Sequence, residues 1–272
     1  MKKSLMLMAC AVVLGCAPAF GWGRLGHAAI AKIAENYLSP KAKKTIDKYL
    51  DGKSIIYYAS YPDDYRNVHL IDIGFDAPNS PRKTVWPHSF RASVEGVPFR
   101  TENVNGEYAK NGLVRIEPVI KKMKESHRNM SDSARVVSLA YIVHVIGDIH
   151  CPKHVRYWGE TSSGGYPVYF NGKKVKYHSY WDNTLLSFYH SWGYTDLANL
   201  VDRYSKRERK EIQKGDIYAW GEENARKALY TRECVKGTEI TRQMANENIK
   251  HAEDQIARAG YRLAAVLNDI FK

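Results

Sequence analysis

Apolar residues recur at helical spacing over most of this 272-residue chain. From Leu25 to Leu38 they fall on one helical face. Ser39-Pro40 then reads as an N-cap followed by proline at the first helical position, opening a helix to about Leu50. Leu113 to Arg128 predicts another, with Pro118 marking its start or a bend. After Ser131-Asp-Ser the pattern changes. Val136, Val137, Leu139, Ala140, Ile142, Val143, Val145 and Ile146 make the next helix apolar nearly all round, which is the mark of a central buried helix. His178 to His190 and Leu197 to Lys210 read as helices, and Ile217 to Thr231 and Thr238 to Phe271 as longer ones. Tyr166 to Phe170 and Lys173 to Tyr177 flank Asn171-Gly172, which predicts a β-hairpin with a type I′ turn. Pro, Gly and Asn are frequent from Asp72 to Gly112, which reads as a long loop region. The expected fold is all-α: a single, mostly helical domain with one small β-hairpin.

Residues 1–21 stand apart from that domain. Lys2-Lys3, the apolar run Leu5 to Leu14 and the small residues of Ala17-Pro-Ala-Phe-Gly21 form a secretory signal, leaving residues 22–272 as the domain. The run is too short to span a bilayer. Val13-Leu-Gly-Cys16 loosely resembles a lipoprotein cleavage site, whereas cleavage after Gly21 leaves Trp22 at the N-terminus. A periplasmic or secreted location is expected. Cys10 and Cys16 lie in the signal, so Cys151 and Cys234 remain, and export permits a disulfide between them. Cys151 also reads as a packing residue or as a thiolate ligand. Lys and Arg number 41 against 29 Asp and Glu, a formal charge of +12. A basic exported protein suits an anionic partner such as nucleic acid, phospholipid or polysaccharide, although scattered cations also serve solubility alone.

The chemistry concentrates in two short motifs. His144 and Asp148 stand at i,i+4, as do His178 and Asp182, so each pair shares a helical face. His154 follows just beyond the first pair. Asp148 ends the most apolar helix of the chain, and a buried carboxylate is expensive unless paired or metal-bound. Imidazole and carboxylate are zinc ligands, and two such pairs suggest more than one metal.

Those residues carry a resemblance. His-x-x-Gly-Asp-x-His-x-Pro-x-His at 144–154, Gly164-Gly165 before the hairpin and His-x-x-Trp-Asp at 178–182 resemble the zinc-dependent single-strand-specific nucleases, which share a fold with bacterial zinc phospholipase C. Trp22-Gly-Arg-Leu-Gly-His27, Ala59-Ser-Tyr-Pro-Asp63-Asp-Tyr-Arg66 and the Ala259-Gly-Tyr-Arg-Leu-Ala run extend the likeness over the whole domain. The resemblance implies three zinc ions. One would take Asp63, His88, His144 and Asp148; a second, His154, His178 and Asp182; a third, His27, Asp148 as a bridge, and the amine and carbonyl of Trp22. It implies single-stranded DNA or RNA as substrate, a zinc-bridging hydroxide as nucleophile and 5′-phosphate products, with Asp63, Asp148 and Arg66 catalytic. Arg66 would contact the phosphate. Asn183 and Phe90 are the candidate substrate contacts, with Tyr157 an alternative stacking ring.

Several residues keep a second reading. Asp64 competes with Asp63 as ligand, and His69 with His88. His150 reads as an orienting residue, while His127, His190 and His251 look like ordinary packing or surface histidines. Tyr61 stands where the family usually has tryptophan, and Tyr166 where it has asparagine. A phospholipase C-like enzyme and a non-catalytic zinc- or nucleic-acid-binding protein are the alternatives to a nuclease.

Overall fold

A computed structural model of the chain describes residues 21–64, 87–104, 107–108, 110–160 and 164–272. Arg66, His69 and residues 1–20 of the expected signal lie outside the described residues.

Helices dominate. The first four are α1 (Gly23–Asn36), α2 (Pro40–Tyr49), α3 (Ile55–Tyr58) and α4 (Tyr61–Asp64). They are followed by α5 (Gly112–Ser126) and α6 (Asp132–Asp148). Next come α7 (Tyr177–Ser179), α8 (Leu185–Tyr189), α9 (Tyr194–Val201), α10 (Lys206–Ile212), α11 (Ile217–Lys227) and α12 (Arg242–Ile270). Ser39 caps α2 by accepting from the Ala42 amide, and Ser131 caps α6 by accepting from Ala134, as the sequence predicts. Pro118 lies inside α5 rather than at its start. Among the described residues, no helix is long and apolar enough to cross a membrane.

The strands are short: β1 (Phe90–Ala92), β2 (Asn103–Val104), β3 (Glu107–Tyr108), β4 (Val155–Tyr157), β5 (Pro167–Phe170), β6 (Lys173–Lys176) and β7 (Glu239–Ile240). The expected hairpin is β5–β6, turning through Asn171 and Gly172 at φ 50° and 71°. Both positive angles fit a type I′ turn. Three features exceed the sequence expectation. β7 adds to the hairpin in parallel, β2 pairs with β3, and β1 pairs in parallel with β4. Elements of two or three residues show too little alternation to be read from sequence.

The core gathers around α6, of which Val137 to Asp148 is buried without interruption. Helices α1 and α12 frame it. Along α1 and α12 the backbones come close: a Cβ added at Gly260 would stand 2.6 Å from Cβ and Cγ2 of Ile33 and 3.2 Å from the Ile30 carbonyl oxygen. Gly260 is therefore the contact that lets α12 lie on α1.

A polar network then grips the last turn of α6. Arg262 of α12, almost fully buried, donates from Nε to the Ile212 carbonyl at 2.9 Å and from Nη1 to His150 Nε2 at 2.9 Å. Its remaining nitrogen pairs with Glu223. His150 Nδ1 in turn donates to the Ile146 carbonyl at 2.7 Å, and Asn224 donates to the Ile149 carbonyl at 2.9 Å. Burial and the adjacent Arg262 push His150 down to about 3, so its ring is neutral and its tautomer is set by its two partners. This agrees with an orienting role for His150.

Gly260→Ala tests the helix approach. At an open helical site the change would stabilise by up to about 1 kcal/mol. Here the added methyl must displace Ile33, and overpacking of this kind costs about 1–3 kcal/mol. Chemical denaturation of Gly260→Ala should show net destabilisation.

Candidate metal centre

The C-terminal turn of α6 is where the chemistry-bearing side chains meet. His144 Nε2 lies 3.0 Å from Asp148 Oδ2, the i,i+4 contact expected on one face. The other carboxylate oxygen, Oδ1, lies 3.2 Å from His27 Nε2 on α1. Asp63 Oδ1, from α4, approaches His144 Nε2 at 3.7 Å. His154, just past α6, reaches Asp148 Oδ2 at 3.6 Å and, through its other nitrogen, Asp182 Oδ1 at 4.0 Å. His178 Nε2 lies 3.1 Å from Asp182 Oδ2. The His88 ring stands 5.8 Å from that of His144 and 5.2 Å from that of His154. Every histidine and aspartate expected as a ligand therefore enters one continuous cluster, with Asp148 at its middle.

Local backbone features aim these groups. Gly147 leaves room for the His27 ring, whose Nδ1 would stand 2.9 Å from an added Cβ. His144 Nδ1 donates to the Ala59 carbonyl at 2.9 Å, which turns Nε2 toward the carboxylates. Tyr141, one turn earlier on α6, donates to the Pro87 carbonyl at 2.7 Å and so anchors the residue before His88. Asp182 sits in a π-helical turn, Tyr180–Thr184, between α7 and α8; such bulges are frequent at functional sites. Neither carbonyl contact, Ala59 to His144 nor Pro87 to Tyr141, leaves a signal in the sequence, because main-chain acceptors carry no residue identity.

The structure resolves two alternatives left open by sequence. Asp64 points outward and pairs with Arg24 at 2.6 Å, while the neighbouring Asp63 is buried against His144. Asp63 is thus the carboxylate of this cluster. Cys151 and Cys234 are both free and buried, so they form no disulfide. The Cys151 thiol instead donates to Asp182 Oδ1 at 3.8 Å.

Two expected substrate contacts need correction. Phe90 is fully buried on the core side of β1, and Tyr157 is fully buried with its hydroxyl donating to the Ala225 carbonyl at 2.5 Å. Neither ring is free to stack on a base, because strand alternation turns both inward. Asn183 is exposed, with its amide oxygen against Gly23. His127 bonds Tyr49, His190 bonds Glu253 and His251 packs on Trp181, all as ordinary structural histidines.

The donor set fits a metal. Both ring nitrogens of His27, His144 Nε2, both Asp148 oxygens, His154 Nε2 and Asp182 Oδ2 are buried and have no hydrogen-bond partner. Such orphaned polar atoms are rare in native interiors and call for an ion. Ligand atoms lie within 4.8 Å of one another in three sets: His27, Asp63 and His144; His88, Asp148 and His154; Cys151, His154 and Asp182. Electrostatics agree. Burial pushes the Asp148 carboxyl up, but His144, His154 and His27 outweigh it and hold the group well below the usual range. Burial, with the charges of Asp148 and Asp63, pushes Asp182 well up. Burial drives His88 down to about 4 and lowers His27 and His154. Burial lowers His144 as well, but Asp148 and Asp63 raise it overall to about 9. Acids and bases crowded this way compete for protons that a divalent cation would replace.

The start of α1 closes one side of the cluster. Trp22 is fully buried and its indole donates to the Gly147 carbonyl at 3.1 Å. The backbone just before it runs against the bridging carboxylate: a Cβ on Gly21 would fall 1.7 Å from Asp148 Oδ1 and 2.9 Å from His27 Nε2.

Known proteins resemble the chain along most of its length. The chain is 24% identical to Endonuclease 4 of Arabidopsis thaliana over 92% of its length and 89% of that protein. It is 24% identical to Nuclease P1 of Penicillium citrinum, covering 92% and 97%, and 23% identical to Nuclease S1 of Aspergillus oryzae, covering 92% and 91%. The model of the S1/P1 nuclease family matches residues 22–272. Matched by that model from Trp22 to Lys272, the chain belongs to the S1/P1 nuclease family.

Proposed function

We propose that this chain is an exported zinc-dependent endonuclease that hydrolyses single-stranded DNA or RNA to 5′-phosphate products. The observation that carries the reading is the fully buried Asp148, whose two oxygens face different histidines, His27 and His144. A carboxylate placed so can serve two cations at once. Asp63, His88, His144 and Asp148 would hold one ion, and His154, His178 and Asp182 a second. His27, Asp148 and the amine and carbonyl of Trp22 would hold a third. The close approach of the residue 21–22 backbone to Asp148 supports the third set. So does the family match beginning at Trp22, since only cleavage after Gly21 frees that amine. Bound zinc would supply Lewis acidity, neutralising phosphoryl oxygens and bringing a water's pKa toward neutrality.

The chain's own residues set the rest. His144 is oriented by Ala59, and Asp182 is oriented by the Cys151 thiol, so little reorganisation is needed when substrate arrives. Arg66, outside the described residues, is the proposed phosphate contact from its place three residues after Asp63. The exposed Asn183 remains the proposed contact to the nucleoside.

Three outcomes are expected. Purified protein trimmed to Trp22 should degrade single-stranded DNA much faster than duplex and leave phosphatidylcholine vesicles intact; rapid vesicle hydrolysis with intact DNA would reverse the assignment. Asp148→Ala should abolish turnover and lower the zinc content by more than one ion per chain, read by elemental analysis. Near-normal turnover would refute the mechanism. Zinc binding should release protons, because His144, raised to about 9, holds a proton near neutrality that a cation must displace, and burial raises Asp182 in the same direction. Apparent zinc affinity should therefore climb from about pH 6 to about pH 8. Competition with a chromophoric chelator measures this, and a flat profile would contradict the burial-driven competition described above.

A further inference from the structure

The two strands that leave the metal cluster carry an arrangement the catalytic reading does not use. β1 starts two residues after His88, and β4 starts immediately after His154. They pair in parallel, with Phe90 opposite Val155, Arg91 opposite Arg156 and Ala92 opposite Tyr157. Phe90, Ala92, Val155 and Tyr157 are fully buried on the core face. Alternation then puts Arg91 and Arg156 side by side on the other face, both half-buried. Strands in a sheet are about 4.8 Å apart, so two guanidinium stems run abreast.

Like charges directly opposite each other on paired strands cost stability. Among the described residues neither Arg91 nor Arg156 meets a carboxylate: Glu95 bonds Ser93, and Glu160 pairs with Arg232. The Nε atoms of both arginines are buried and lack a hydrogen-bond partner. Both arginines lie within three residues of the metal cluster, Arg91 after His88 and Arg156 after His154. Arg156 lies two residues beyond His154, about 7 Å along an extended chain. It is also close enough to His88 for its charge to lower that ring's pKa.

We propose that Arg91 and Arg156 form a phosphate-binding subsite for the stretch of single-stranded nucleic acid flanking the phosphodiester at the metal centre. The inference rests on the nuclease reading above and adds to it where the strand runs. Two adjacent guanidiniums suit the non-bridging oxygens of a phosphodiester, which accept paired hydrogen bonds and neutralise the crowded charge. The ribbon is short and backed by core residues, so the pair is held in place before substrate binds. The subsite would fix register on the strand without reading sequence.

Binding to a slowly hydrolysed probe separates this inference from the catalytic one. The zinc-loaded protein is titrated with a labelled phosphorothioate oligothymidylate of about eight nucleotides and with a phosphorothioate dinucleotide, across a range of KCl. For the longer probe, Arg91→Gln and Arg156→Gln should each weaken binding by about tenfold. The slope of log affinity against log salt should fall by about 0.7 for each phosphate that is no longer neutralised. The dinucleotide, with its one phosphate at the metals, should bind these variants as it binds wild type. Arg91→Lys and Arg156→Lys should keep the salt slope while losing part of the affinity, a pattern that a merely structural role would not produce. Equal losses for both probes, or no change for either, would overturn the proposal. So would loss of binding to phosphatidylglycerol vesicles with the oligonucleotide unaffected, which would assign the pair to a lipid surface. A wild-type protein that binds the longer probe with the expected salt slope but cleaves no DNA would sink the nuclease reading and leave the subsite standing.

Discussion

A single carboxylate, Asp148, at the buried end of the most apolar helix, sets the terms for the rest of this structure. Placing it there is unfavourable unless donors or cations surround it, and the fold supplies them from four directions. His144 comes from its own helix, His27 from α1, Asp63 with its neighbours from α4, and His154 from the turn that follows. α4 is a single turn and His154 lies at a chain bend, so neither Asp63 nor His154 could be held there without packing from the longer helices. The core and the site are therefore one construction.

The network behind α6 shows how that construction is kept rigid. Arg262 is a buried cation facing His150, and one more proton on that ring would set two positive charges against each other. Burial and the arginine keep the imidazole neutral, and its two nitrogens then have defined roles toward Ile146 and Arg262. Glu223 balances the arginine at the protein's edge. The consequence is a helix terminus with fixed direction, from which Asp148, Cys151 and His154 emerge at set angles. Rigid support of this kind holds the donor atoms of the cluster in place.

Charge is distributed with the same economy. The chain carries +12 overall, yet the metal cluster itself is rich in carboxylates and imidazole rings. Arg91 and Arg156 sit just outside it, on the ribbon formed by β1 and β4. A negative centre that attracts divalent ions, edged by fixed cations that attract phosphate, is a coherent electrostatic design for cleaving a polyanion.

Much of this was legible in the chain itself. The i,i+4 pairs His144/Asp148 and His178/Asp182 declare their geometry because helical periodicity fixes which residues share a face. The caps at Ser39 and Ser131, the Asn171-Gly172 turn and the apolar run of α6 are likewise local, and local physics decides them. What lay beyond sequence depends on contacts between distant segments. Asp63 rather than Asp64 enters the cluster because Arg24, some forty positions away, draws Asp64 outward. Phe90 and Tyr157 turn into the core, and Arg91 meets Arg156, because two three-residue strands pair across more than sixty residues of chain. Periodicity speaks only for neighbours along the backbone; which partner a side chain meets across the fold is set by packing, and only the folded chain expresses that.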